Sequence, residues 1–283
     1  MRIVSMLPSA SEIVCLCGGE SMLVGRSHED DWPASIKSLP IVTASNTVFD
    51  SSAGVEDQVM HALDTGTGMY SVNSKTLQEL QPTHIVTQDL CHVCAIDLKT
   101  VDRIASQISP KPELITLNPL NFQDVLADIP RVANALGLEE GGKQAMASLN
   151  ARIAAARGHW TPQLIYMAGG NQPMFPGTDT KAAGPSIQFS HEACIASDPE
   201  IIVIAPCGLS LSEVKREADL IRAQDWFQTL CNKPGGVKMC IVDGSQMFNR
   251  PGPRLVDALE FLVGFFWDDE SLIPAGFPWE RYE

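Results

Sequence analysis

Residues Arg2–Gly19 read RIVSMLPSASEIVCLCGG, and they set the grammar of the whole chain. Arg2 to Met6 is an apolar run of strand length that stops at a proline. LPSASEIVCLCGG then reads as a loop and a helix start. Ser9 is placed to cap the helix, Glu12 stands three residues on as in a capping box, and Gly18-Gly19 closes it. Leu23 to Arg26 resumes as a second strand. A strand, a covering helix and a second strand form the repeating unit of a parallel sheet.

The same alternation continues outward. Helix Lys75 to Leu80 leads through Gln81-Pro82 into His84-Ile-Val-Thr87, and Val101 to Ile108 leads through prolines into Leu114 to Leu117. Phe122 to Ala135 and Gly142 to Arg157 carry apolar residues at three- and four-residue steps, and one of them connects two lobes. After Arg157 a second series follows: helices Thr161 to Ala168 and His191 to Ala196, strand Ile201 to Ala205, helix Leu211 to Ala223, strand Val237 to Val242 and helix Arg254 to Phe266. The expected architecture is α/β, with two lobes of parallel sheet flanked by helices. The N-terminal lobe is expected over 1–120, a connecting helical region over 121–157 and the C-terminal lobe over 158–283, with a cleft between lobes.

At 283 residues the chain can bury a sizeable core, roughly three quarters of its unfolded surface. Apolar residues at 45% and charged ones at 19% lie in the globular range, and no apolar run reaches membrane-spanning length. The net charge of -14 argues against nucleic acid as a partner, because phosphate binding needs clustered Lys and Arg. The opening MRIVSMLPSASEIV is too short and too soon polar for a signal peptide. The expectation is therefore a cytoplasmic protein as written, or a periplasmic or extracellular one if a leader has been removed. Eight cysteines, several inside apolar runs, point to buried thiols rather than a disulfide scaffold.

Five ordered segments resemble one family: LPSASEIV at Leu7–Val14, GRSHEDDWP at Gly25–Pro33, TQDLCHVCA at Thr87–Ala95, SDPEIIVIAPCG at Ser197–Gly208 and FNRPGPRLVDALE at Phe248–Glu260. They are similar to the substrate-binding proteins of ABC importers whose two lobes are joined by a single long helix, in the cobalamin-binding or iron-chelate-binding branch. The resemblance covers nearly the whole chain. It implies a periplasmic-binding-protein-like fold that holds its ligand between the lobes. It also implies a strand and loop of roughly twenty residues before HWTPQLIYMAGG, where this chain runs Arg157-Gly158 straight into His159, so the second lobe is expected to be short by one strand.

Ligands in open parallel sheets bind at the carboxyl ends of strands, where loops converge and helix amino termini supply donors. That rule selects Ser9 and Glu12 after the first strand, Ser27, His28, Glu29 and Trp32 after the second, and Gln88, Asp89, Cys91, His92 and Cys94 after the third. In the second lobe it selects Cys207, Phe248, Asn249 and Arg250. His159 and Trp160 lead into a helix beside the same opening. Trp32, Trp160 and Phe248 offer flat apolar faces, and Arg250 a guanidinium presented by a Pro-Gly-Pro backbone.

Cys91 and Cys94 form a C-x-x-C pair that suits a soft metal, a dithiol or plain packing, and the spacing does not choose among them. If the lobes face each other as the resemblance implies, Cys207 approaches that pair and His28 or His92 completes a tetrahedral site for zinc or another soft metal. No Gly-rich phosphate loop, H-E-x-x-H helix or G-x-S-x-G elbow appears, so an enzyme is not expected. The expected function is non-catalytic capture of a large metal chelate, a corrinoid such as cobalamin first, with heme or a ferric siderophore as further ligands. It requires no cofactor of its own. An ABC permease is the natural partner of an exported member. The competing reading is a metal- or thiol-dependent enzyme built on Cys91, Cys94 and Cys207.

Overall fold

Ile3–Ser5 forms β1, and all three residues are fully buried, which places this strand in the middle of its sheet. The computed structural model describes residues 1–47, 58, 68–89, 96, 98–156, 162–172, 174 and 189–282. Two compact units emerge, Met1–Ser148 and Leu149–Glu283.

In the first unit β1 pairs in parallel with β2 (Leu23–Gly25) on one side and with β5 (His84–Gln88) on the other. Then β6 (Glu113–Leu117) pairs with β5 along its full length, giving a four-stranded parallel order β2-β1-β5-β6. The chain crosses to one side of β1 through α1 (Pro8–Leu16) and later returns on the other, so the direction of winding reverses between β1 and β5. In open parallel sheets, ligands gather at the carboxyl ends of the strands beside such a reversal. A separate antiparallel pair, β3 (Thr43–Ser45) with β4 (Tyr70–Val72), aligns Thr43 with Val72 and Ser45 with Tyr70.

Helices α2 (Ser74–Leu80), α3 (Leu98–Ala105) and α4 (Phe122–Ala135) complete the covering layers. Caps position two of them: Asn73 accepts from the Thr76 amide, and Asn121 accepts from the Asp124 amide while Asp124 accepts from the Leu120 amide. Helix α5 (Glu139–Ala156) begins in the first unit, and the boundary between units falls inside it. Gly141 lets α5 approach α1, because a Cβ there would stand 2.0 Å from the Cys17 carbonyl oxygen.

In the second unit β7 (Ile201–Ile204) pairs in parallel with β8 (Lys238–Val242), and β9 (Trp279–Arg281) adds an antiparallel edge. Around this sheet lie α6 (Pro162–Met167), α7 (His191–Ala196), α8 (Leu211–Arg222), α9 (Asp225–Cys231) and α10 (Leu255–Phe266). The core centres on α10. Phe261 stacks on Phe277 at 4.5 Å and on Phe265 at 5.7 Å, and meets Trp279 edge-on. Arg152, near the end of α5, forks onto Glu260 of α10 at 3.0 and 2.8 Å and also bonds Asp257.

Candidate functional site

A buried polar cluster lies at the carboxyl end of β1 in the first unit. Ser5, at the end of β1, donates its hydroxyl to the Leu7 carbonyl at 2.8 Å, turning the chain into α1. The capping box expected of Ser9 and Glu12 does not form. The helix starts at Pro8, whose fixed φ and missing N–H suit the first helical position, and Leu7 is the N-cap. That shifts Ser9 and Glu12 into the body of the helix, where they are 2% and 1% exposed.

The loop after β2 is fastened to itself. Asp30, 1% exposed, accepts from the Ser27 hydroxyl at 2.5 Å and from the Ser27 amide at 3.2 Å. Burial pushes the Asp30 carboxyl above the usual range, while hydrogen bonds from Ser27, Ser5 and Ser11 pull the other way. Arg26 spans the turn from outside, donating to the carbonyls of Ser27, Asp30 and Lys37 at 3.0, 3.1 and 2.9 Å. A loop tied at so many points holds the residues at its crest, His28 and Glu29, in a defined place.

His28 is half-buried and its backbone N–H donates to Thr43 Oγ1 at 3.0 Å. Its ring Nδ1 lies 2.6 Å from the same oxygen. Tyr70, on the strand paired with Thr43's own, tilts against the imidazole with centroids 5.4 Å apart, and its hydroxyl reaches Glu29 Oε1 at 3.4 Å. Burial lowers the His28 pKa, with Arg26 adding to the effect and Glu29 opposing it. The shift favours the neutral imidazole, the state in which a histidine can offer a lone pair. Trp32, 40% exposed, follows on the same loop. One imidazole, one phenol and one carboxylate thus gather at the end of β2.

Gln88 and Asp89 lie at the end of β5, where the Asp89 amide donates to Asn118 Oδ1 at 2.9 Å and joins that loop to the one after β6. Leu120, beyond it, is 58% exposed. Cys91, His92 and Cys94 lie outside the described residues, as do His159 and Trp160. Among the described residues no group of three or more His, Cys, Asp or Glu side chains is arranged to hold a metal ion.

In the second unit Cys207 is exposed after β7. Asn249 spends its amide on the chain itself, donating to the carbonyls of Ala205 and Gly244 at 3.1 and 2.9 Å. Phe248, at φ 63°, is 6% exposed and packs edge-on against Phe261, so its ring belongs to the core and presents no open face. Arg250 leans on Ser245 Oγ at 3.4 Å.

Thr43 and Tyr70 escape a reading of strand ends because they sit on the antiparallel pair, not after a parallel strand. A Thr in a short β-type run opposite a Tyr-containing one is the available signal, and it is weak.

These features define a two-unit α/β protein with sheet layers flanked by helices and polar and aromatic side chains after β2, a fold shared with solved binding proteins. The chain is similar to a periplasmic heme binding protein from Pseudomonas aeruginosa, with a TM-score of 0.63 and 18% identity over 100% of this chain and 98% of that one. It is similar to the periplasmic heme binding protein HutB of Vibrio cholerae, at 0.62 and 16% over 94% and 99%. The periplasmic vitamin B12 binding protein BtuF of Vibrio cholerae superposes at 0.57 and 16% over 95% and 97%. No protein-family model matches the chain, and no curated protein sequence matches it. Among the described residues no helix is long and apolar enough to cross a membrane.

Proposed function

We propose that this chain reversibly binds a large metal chelate, an iron tetrapyrrole of the heme type first, and that it makes and breaks no covalent bond in the ligand. The observation that carries the proposal is the gathering of His28, Tyr70 and Glu29 at the carboxyl end of β2, on a loop that also carries the exposed Trp32. A flat apolar ring system needs an aromatic surface, which Trp32 and Tyr70 supply. A ferric centre takes imidazole nitrogen or phenolate oxygen as axial ligand, which His28 and Tyr70 supply. Heme-binding and vitamin B12-binding proteins both occur among the solved structures of this fold, which supports a tetrapyrrole without choosing between iron and cobalt. A corrinoid arrives with cobalt already ligated, so it uses the aromatic surface and leaves the imidazole and phenol without their purpose. That difference favours heme over the cobalamin expected from sequence.

Gln88 and Asp89 act in this reading as polar contacts to the chelate's edge. Delivery to an ABC permease, outside the cytoplasm, is the transport role that accompanies it. The test is absorbance of the ferric heme complex of the wild type, His28→Ala and Tyr70→Phe. The reading expects at least one of the two variants to move the Soret band and to weaken binding. Identical spectra and affinities in all three proteins contradict it.

A further inference from the structure

At the opposite edge of the four-stranded sheet from β2, α3 and β6 enclose a cavity of about 400 Å³ lined by Leu98, Lys99, Asp102, Arg103, Leu114 and Thr116. Three inter-strand steps, roughly 14 Å, separate β2 from β6, and no lining residue belongs to the loop that carries His28. Two periods build the walls. Along β6, Leu114 and Thr116 share one face and are half-buried, while Ile115 and Leu117 turn to the other face and are buried. Along α3, Val101, Ile104 and Ala105 are buried, which leaves Lys99 and Arg103 one turn apart at exposed positions. Four helical residues rise roughly 6 Å and two strand residues roughly 6.6 Å, so the cationic pair and the Leu114–Thr116 pair span the same length of wall.

The lining holds unused bonding capacity of one sign. Among the described residues, Lys99 and Arg103 make no ion pair or hydrogen bond, and neither does the Thr116 hydroxyl. Asp102, the acid in the lining, is neutralised by Lys111 at 2.7 Å. The Thr116 carbonyl is taken by Arg131 at 2.8 Å, which blunts this edge of the sheet against an added peptide strand. We propose that the α3–β6 cavity is a ligand site for an amphipathic monoanion, a carboxylate on an apolar body, with the head held by Lys99, Arg103 and the Thr116 hydroxyl and the body lying on Leu98 and Leu114. The guanidinium fork matches a carboxylate in shape as well as charge, and the hydroxyl adds a donor. A bare polar anion leaves the two leucines uncovered, and a neutral apolar ligand leaves both cations unmatched. The volume lies in the usual range of small-molecule sites, roughly 300–1,000 Å³. This site is independent of the chelate reading.

The experiment uses the full chain labelled with 15N, without heme, and follows backbone amide shifts during titration with octanoate, with acetate as the head alone and octan-1-ol as the body alone. Octanoate is expected to move the signals of Lys99, Arg103, Leu114 and Thr116 in one saturable step, with acetate and octan-1-ol at least roughly tenfold weaker. Lys99→Gln and Arg103→Gln, both at exposed positions, should each weaken octanoate by roughly tenfold, the size of one lost charge-assisted hydrogen bond, and Thr116→Val by less. Lys75→Gln, which removes an exposed cation of α2 outside the cavity, should leave the affinity unchanged. Equal affinity for octan-1-ol and octanoate overturns the proposal, since it reports an apolar patch with no anion site. A doubly substituted Lys99→Gln/Arg103→Gln chain that binds octanoate like the wild type overturns it too, as does a titration that leaves the four signals in place or moves those of His28 and Tyr70 instead.

Discussion

Replacing Arg152 with methionine removes one guanidinium that serves two carboxylates of α10. Arg152 makes a two-pronged contact to Glu260 at 3.0 and 2.8 Å and bonds Asp257 as well, and these contacts hold its pKa above the ordinary arginine value. Side-chain exposures of 34% for Arg152, 24% for Asp257 and 22% for Glu260 place the triad between the surface and the interior. An exposed pair contributes about 0–1 kcal/mol, and breaking a buried one costs about 3–5 kcal/mol. Solvent reaches the triad from one side, so a loss of about 2 kcal/mol follows, part of it from two unneutralised carboxylates one helical turn apart. Arg254, 3.9 Å from Asp257, remains and softens the loss. Methionine preserves the apolar stem, so packing changes little. The assay is hydrogen exchange read by mass spectrometry on peptides covering α10, with the same substitution repeated in an Asp257→Asn/Glu260→Gln background. The loss should shrink markedly in that background and in 1 M salt. A loss below about 0.5 kcal/mol, or an equal loss in the neutralised background, refutes the account of how the end of α5 is fastened to the second unit.

Gly141→Ala places a Cβ 2.0 Å from the Cys17 carbonyl and forces α1 and α5 apart, so exchange protection in the first unit should fall by about 3 kcal/mol or more; Gly18→Ala, at φ 85° with open space around it, should cost only about 1–2 kcal/mol. Thiol reactivity should be ordered: Cys207 is exposed, whereas burial pushes Cys15 up to about 12 and Cys17 up to about 11 and lifts Cys240 also. Brief iodoacetamide treatment of the folded protein at pH 8, followed by peptide mass analysis, should therefore mark Cys207 before these three. The Ser210 amide and hydroxyl both donate to the Glu213 carboxylate, at 2.8 and 2.6 Å, and hold its pKa below the ordinary value. Its contribution is therefore complete above the unfolded pKa of about 4.3 and is lost as pH falls through the lower folded value. Glu213→Gln should thus lower protection of α8 slightly at pH 7 and leave it equal to wild type in strong acid.

What the sequence made legible depended on local signals. Phe122–Ala135 and His191–Ala196 begin and end where apolar spacing and an Asn or Ser before the first turn place them. The β1, β5 and β7 runs are short, apolar and bounded by turn residues, so their place in parallel sheets follows from composition. The antiparallel pair of β3 and β4 was not legible, because TAS and YSV are too brief to carry a period and are paired across a long stretch of chain. Without that pair neither Thr43 nor Tyr70 could be placed beside His28. The edge strand β9 escaped for the same reason, being three residues long with its partner far back in sequence. At α1 two local rules competed: Ser9 with Glu12 has the spacing of a capping box, but Pro8 at the first helical position moved the start one residue ahead of Ser9. Phe248 was selected for its flat ring, and the aromatic core around Phe261 claimed it instead. Side chains at His28, Glu29 and Trp32 follow a strand end, so the rule that ligands gather there brought them to notice before any contact was known.

The central claim is that the chain captures a metal tetrapyrrole. The most direct measurement is a titration of the purified, reduced, full chain with ferric heme, cobalamin and a ferric siderophore in parallel, read by absorbance and by thermal shift. A ligand at a hundredfold excess over its dissociation constant stabilises by about 2.7 kcal/mol, well within reach of the second readout. The account predicts a saturable, stoichiometric change with heme, accompanied by a Soret shift that reports ligation by the protein. Folded protein that shows neither change with any of the three chelates contradicts it.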